Sequence, residues 1–147
     1  GFRFFTVYGP YGRPDMSIFK FTDLISKSKV VTINGDGNHE RDFTFIDDIT
    51  SSIIKVIVKD NKATKPDRYR IFNIGNGQKI KINKIIEIIE KYLNKKANKR
   101  FVEPIEADMK ITLASFRKLE NYIGIKKRTQ IETGIKKFVK WYTSYNK

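Results

Sequence analysis

Apolar positions along this chain switch repeatedly between a period of two and a period of roughly 3.6, the alternation of strands with amphipathic helices. RFFTVY (Arg3 to Tyr8) is apolar or β-branched at nearly every place, which predicts a strand buried on both faces. SIFKFTDLISKS (Ser17 to Ser28) has apolar residues at 18, 21, 24 and 25, a helical spacing with Ser17 near its cap. VVTI (Val30 to Ile33) is a short strand ended by the turn NGDGN, and FTFI (Phe43 to Ile46) is another. From Asp47-Asp48 a helix follows, with 49, 53, 54, 56 and 57 expected to face a core. DNKATKPD is a polar loop, and RIFNI (Arg70 to Ile74) is a strand running into Gly-Asn-Gly.

The second half is more helical. INKIIEIIEKYL (Ile82 to Leu93) is strongly periodic, and KRFVEPIEAD reads as a short strand plus a loop. SFRKLENYIG (Ser115 to Gly124) is a helix closed by glycine, as a left-handed C-terminal position favours. The last helix, Ile131 to Tyr145, carries apolar residues at 131, 135, 138, 139 and 142. Alternating strands and helices predict an α/β fold. The elements are few for a complete doubly wound sheet, and the chain starts without Met inside strand-like sequence, which suggests a cut from a longer protein.

Composition narrows the chemistry. The 147 residues, 39% of them hydrophobic, suffice for a packed core. There is no cysteine and a single histidine, His39, so disulfides, thiolate catalysis, Cys-ligated zinc and a Ser-His-Asp triad all lose ground. No apolar run reaches the roughly 18 residues of a membrane span. The net charge of +14 invites a nucleic-acid reading. Its lysines, however, are scattered through a chain rich in isoleucine and asparagine, and the densest segment spaces them along the wet face of a helix. Nucleic acid is therefore not expected as a partner.

Arg13 sits between Gly12 and Pro14 at the C-terminal end of a strand, the edge where open α/β sheets bind ligands. It suits a carboxylate or phosphate through paired hydrogen bonds, and a solvated surface arginine is the other reading. Arg41 follows a glycine turn, and its neighbours Glu40 and Asp42 offer a simple surface ion pair. Asp47 and Asp48 project about 100° apart on a helix, which argues for helix capping over a metal pair. NIGNGQ has GxG without the GxGxxG spacing and reads as a turn leaving the sheet. Trp141, at helical spacing with Phe138 and Tyr145, reads as core or interface.

RFFTVYGPYGRPDM, GDGNHERDFTFIDDI, FNIGNGQ and GIKKFVKWY stand in this order. Together they resemble the extended short-chain dehydrogenase/reductases that act on nucleotide sugars, and most of all the UDP-glucuronate 4-epimerases. The resemblance covers nearly the whole chain but only the C-terminal half of such an enzyme. It implies the last strands of a doubly wound parallel sheet, near 3–8 and 70–74, plus a small α/β substrate-binding domain. The NAD-binding half, with its glycine-rich loop and Tyr-x-x-x-Lys pair, would lie upstream. Tyr92 and Lys96 have that spacing but end a late helix. No catalytic residue is therefore expected in this chain, which should be inactive alone.

In the family NAD takes a hydride from C4 of the sugar, the 4-keto intermediate turns over, and the hydride returns to the other face. The resemblance places Phe5 at the nicotinamide, Thr6 against the sugar, and Arg13 near the sugar carboxylate. It places Asp15 and Met16 beside the nucleotide, and Thr32, Ile33 and Asn34 on the strand edge that reads uracil. Arg41 falls on the arginine that binds the diphosphate. Asp108 remains from a Gly-Asp turn in which Ala107 replaces the glycine, leaving a second phosphate-binding residue unassigned, with Lys110 an alternative. The parent is expected to be cytoplasmic and homodimeric. A hexose 4-epimerase, a 4,6-dehydratase or a UDP-glucuronate decarboxylase shares the same scaffold.

Overall fold

The computed structural model describes residues 1–63, 69–104, 109–124 and 128–146. In chain order its elements are β1 (Phe2–Phe4), β2 (Thr6–Tyr8), α1 (Ser17–Ser26), β3 (Val30–Asn34), β4 (Glu40–Phe45) and α2 (Ile46–Asn61). There follow β5 (Phe72–Ile74), β6 (Lys79–Lys81), α3 (Ile82–Leu93), β7 (Asn98–Val102), α4 (Arg117–Ile123) and α5 (Ile131–Tyr145). The α/β fold expected from the alternating pattern is the one observed.

The strands pair in three groups. β1 runs parallel to β5 with Phe2 opposite Phe72, and β3 runs parallel to β7 with Thr32 opposite Arg100. β4 sits between β2, parallel with Thr6 opposite Phe43, and β6, antiparallel with Arg41 opposite Ile80. The run 3–8 is thus two strands rather than one. The chain changes partner at Phe5, whose N–H donates to the Ile74 carbonyl at 3.3 Å. Nor is it buried on both faces: Phe4 is 50% exposed, while Tyr8 lies in the core.

A larger core joins α1, α3 and α5 to β2, β3 and β4, with Ile25, Phe43, Phe45, Ile85, Ile89, Ile135 and Phe138 almost wholly buried. Each such side chain contributes about 1.5–3 kcal/mol relative to exposure. A smaller core packs α2 and α4 on β5 through Ile49, Val56, Ile74 and Leu119. Ile54 and Ile57 of α2, expected inside, are on the wet side at 59% and 51% exposure. Along that helix the buried positions are 49, 52 and 56, so the apolar stripe is narrower than its sequence suggests.

Candidate functional site

The site begins with the alternation of β4. Successive side chains of a strand face opposite ways, and here Asp42 turns inward while Arg41 turns to a cleft. Asp42 is fully buried and accepts the backbone N–H groups of Asn76 at 2.7 Å, Gly77 at 2.9 Å and Ala114 at 3.0 Å. Those donors belong to the FNIGNGQ turn and to the segment before α4, so one carboxylate fastens three stretches of chain. Gly75 permits the approach, since a Cβ there would lie 2.1 Å from that of Ala114. Arg41 Nη1 donates to the carbonyls of Glu40 at 3.0 Å and Lys110 at 3.4 Å, and Glu40 faces Lys79.

The opposite wall is the loop Gly9–Met16 and the start of α1. Tyr11, held at φ 60°, lays its ring 5.2 Å from Trp141, which in turn meets Phe19 and Phe138. The tail helix α5 therefore anchors this loop. Gly134 lets α5 come close, because a Cβ there would stand 2.0 Å from the Tyr8 hydroxyl. Neither Ser17 in α1 nor the aspartates in α2 cap their helices by side-chain hydrogen bonds. Asp48 instead accepts from the N–H and hydroxyl of Thr129 at 2.9 and 3.1 Å, and Asp47 meets Lys137 at 3.3 Å.

Between these walls lies a cleft of about 390 Å³ lined by Thr6, Asp15, Met16, Thr32, Ile33, Asn34 and Arg41, together with Ser17, Lys20, Phe21, His39 and Ile82. Seven positions assigned by motif thus converge from β2, the following loop, β3 and β4. Phe5 and Arg13 do not line it. Phe5 is at the break between β1 and β2, and Arg13 stands at the rim, joined to Asp15 through Nε–Oδ1 at 3.0 Å and Nη2–Oδ2 at 2.5 Å. Asp108 lies outside the described residues.

Lys20 and His39 were missed as lining groups. Lys20 is one turn into α1, four residues after Met16, whose carbonyl accepts its N–H at 2.9 Å. A lysine among apolar helix positions carried no motif. What marks it is position: it stands at the positive end of a helix dipole, in the same cleft as Arg41. Among the described residues the cleft is accordingly cationic, and the one carboxylate lining it, Asp15, is already engaged. Arg13 holds the Asp15 carboxyl below the usual carboxylate range.

No group of three or more carboxylates or histidines able to hold a metal occurs among the described residues. Tyr92 and Lys96 do not form an acid–base pair. α3 ends at Leu93, Asn94 turns left-handed, Tyr92 donates to Glu132 at 3.1 Å, and Lys96 meets Glu90 at 3.5 Å. Arg128 rests over the Phe116 ring at 4.5 Å with its two terminal nitrogens buried and without a hydrogen-bond partner. No helix among the described residues is long and apolar enough to cross a membrane.

Residues 1–75 match the NAD dependent epimerase/dehydratase family. The chain is 46% identical over 142 residues to an uncharacterised protein of Methanocaldococcus jannaschii, covering 97% of this chain and 42% of that protein. To UDP-glucuronate 4-epimerase 1 of Arabidopsis thaliana it is 43% identical over 156 residues, covering 99% of this chain and 36% of the plant enzyme. The crystal structure of UDP-glucuronic acid 4-epimerase from Bacillus cereus, in complex with UDP-glucuronic acid and NAD, superposes with a TM-score of 0.87 at 29% identity. That match covers 98% of this chain and 45% of the bacterial one. The chain spans less than half the length of each of these relatives.

Proposed function

This chain belongs to the NAD dependent epimerase/dehydratase family, and from that premise we propose that it is the substrate-binding portion of a UDP-glucuronate 4-epimerase, a parent enzyme interconverting UDP-glucuronate and UDP-galacturonate. The observation that carries the reading is the convergence of Thr6, Asp15, Met16, Thr32, Ile33, Asn34 and Arg41 on one cleft that also holds Lys20. A diphosphate is an anion, and two cations with the N-terminus of α1 suit it. The relatives' names add the sugar class: uronate epimerases stand among them in both sequence and structure.

Each residue then has a task. Arg41, fixed by the buried Asp42 behind it, holds the diphosphate, and Lys20 supplies the second cation that the motifs left unassigned. Thr32, Ile33 and Asn34 line the nucleotide end through the edge of β3. Thr6 contacts the sugar, and Arg13 at the rim receives the sugar carboxylate in a two-point fork. NAD, when bound, supplies the hydride acceptor. It is held mainly by parts of the parent that this chain does not span, with Phe5 at the nicotinamide. Among the described residues none forms a tyrosine–lysine acid–base pair at the cleft, and in this reading the acid–base chemistry belongs to the rest of the parent. Strands β1 and β5 belong in this reading to the dinucleotide-binding sheet.

Isothermal titration of the parent enzyme tests this. UDP-glucuronate should bind more tightly than UDP-glucose, Arg41→Ala should weaken both by about tenfold or more, and Arg13→Ala should weaken only the uronate. Binding indifferent to Arg41→Ala sinks the proposal. Equal binding of both sugars, unaffected by Arg13→Ala, moves the substrate to a neutral hexose.

A further inference from the structure

Arg13 and Asp15 form a two-point pair, Nε to Oδ1 at 3.0 Å and Nη2 to Oδ2 at 2.5 Å, in the arrangement by which a guanidinium grips any carboxylate. We propose that Asp15 is a specificity-determining residue: it pairs with Arg13 at the cleft, and a ligand carboxylate must replace it there. This rests on the reading of Arg13 as the uronate contact and deepens it.

Local chain geometry keeps the pair together. Pro14 separates the two residues and fixes its own φ, while the Met16 N–H donates to the Arg13 carbonyl at 3.2 Å and closes the turn. Asp15 is therefore always within reach of Arg13. The pair is nonetheless displaceable, because the two side chains are 76% and 60% exposed, and ion pairs in water are weak. Asp15 also lines the cleft whereas Arg13 does not. The pair thus bridges from the cleft to its rim, and a ligand in the cleft meets the carboxylate first.

The consequence differs for the two ligand classes. A neutral sugar offers Arg13 nothing better and leaves the pair in place. A uronate exchanges one carboxylate for another on the same fork and frees Asp15 as an anion beside a ligand that is itself negative. Asp15 therefore subtracts from uronate binding specifically, tempering a preference that Arg13 creates.

The test is a double-mutant cycle in the parent enzyme, with calorimetric Kd values for UDP-glucuronate and UDP-glucose in wild type, Asp15→Asn, Arg13→Ala and the double variant. Asp15→Asn should raise the ratio of the two Kd values in favour of the uronate by about two- to fivefold, the range of an exposed pair. In the Arg13→Ala background the same change should leave the ratio where it was. An unchanged ratio in Asp15→Asn overturns the proposal, and so does an equal rise without Arg13, which makes Asp15 a bulk charge only. Unaltered melting temperature in the exposed variants confirms that folding is not at issue. Arg41→Ala, titrated alongside, gives the separate result: unchanged binding of both sugars in that variant fails the functional reading itself.

Discussion

The ring of Tyr11 lies 5.2 Å from the indole of Trp141, joining the loop after β2 to a helix that begins more than a hundred residues later. Tyr11 keeps a left-handed φ of 60°, a conformation that a non-glycine side chain sustains only when its surroundings hold it. Trp141→Ala should therefore cost about 2–3 kcal/mol, less than a fully buried tryptophan. It should also lower the preference for UDP-glucuronate, because Arg13 is two residues beyond Tyr11. Trp141→Phe should keep most of both. Urea unfolding and paired calorimetric titrations measure the two effects.

Lys20 has the simplest electrostatic expectation. Lys20→Ala should weaken UDP binding by about three- to tenfold and flatten its dependence on salt, while uridine binding stays unchanged. Lys20→Arg should retain the charge and most of the affinity. Titrations across a range of sodium chloride concentrations decide it, and an equal loss for uridine and UDP assigns Lys20 to shape rather than charge.

Removing the Asp42 carboxylate leaves two buried N–H donors, of Asn76 and Ala114, and the half-buried one of Gly77 without this acceptor. Asp42→Ala should cost about 3–5 kcal/mol in urea unfolding. Asp42→Asn should cost less, because its amide keeps one accepting oxygen. Glu should not rescue, since the site admits the shorter side chain against Gly75.

Arg128 presents the opposite case. Burial pushes its guanidinium pKa down in spite of Asp48, Glu120 and Asp42 nearby, so desolvation outweighs the neighbouring charges. Arg128→Met keeps contact with Phe116 and removes the unpaired nitrogens, and it should stabilise by about 1 kcal/mol. A loss of that size in thermal melts instead shows that the nearby carboxylates need the charge.

Asp23 governs part of the acid response. Lys27 and the Tyr142 hydroxyl hold its carboxyl below the usual value. A folded pKa below the unfolded one gives stability that is present above the unfolded value of about 3.9 and is lost as pH falls through the folded one. Asp23→Asn should therefore melt earlier than wild type at pH 6, and the gap should close toward pH 3. A gap independent of pH removes the carboxylate from the explanation.

Much of the architecture was legible because its signals are local. The period of α3 is carried by five isoleucines, and Gly124 closes α4 with a φ of 72°, as a terminal glycine should. β6 was not legible, since Lys79-Ile80-Lys81 has one apolar residue and exists through pairing with β4. Phe5 could not be seen as a break, because changing strand partner leaves no mark on composition. In the cleft, motif positions located seven lining residues. Lys20 escaped because its role comes from where α1 lies; Arg13 was singled out, but its pairing with Asp15 was not, because that depends on a turn rather than on spacing. Asp42 looked like a surface partner of Arg41, and only the strand's alternation sends the two apart.

The Asp42 clamp also bears on the order in which the chain comes together. Its donors stand 34 and 72 residues away along the sequence, so closing those loops carries an entropic cost before the carboxylate is satisfied. Contacts of such long range belong to the late stages of folding, after local helices and neighbouring strands have formed. A bond made after the barrier leaves the refolding rate alone and slows escape from the native state. Asp42 is thus a lock on persistence: it governs how long the cleft survives once assembled rather than how fast it is built.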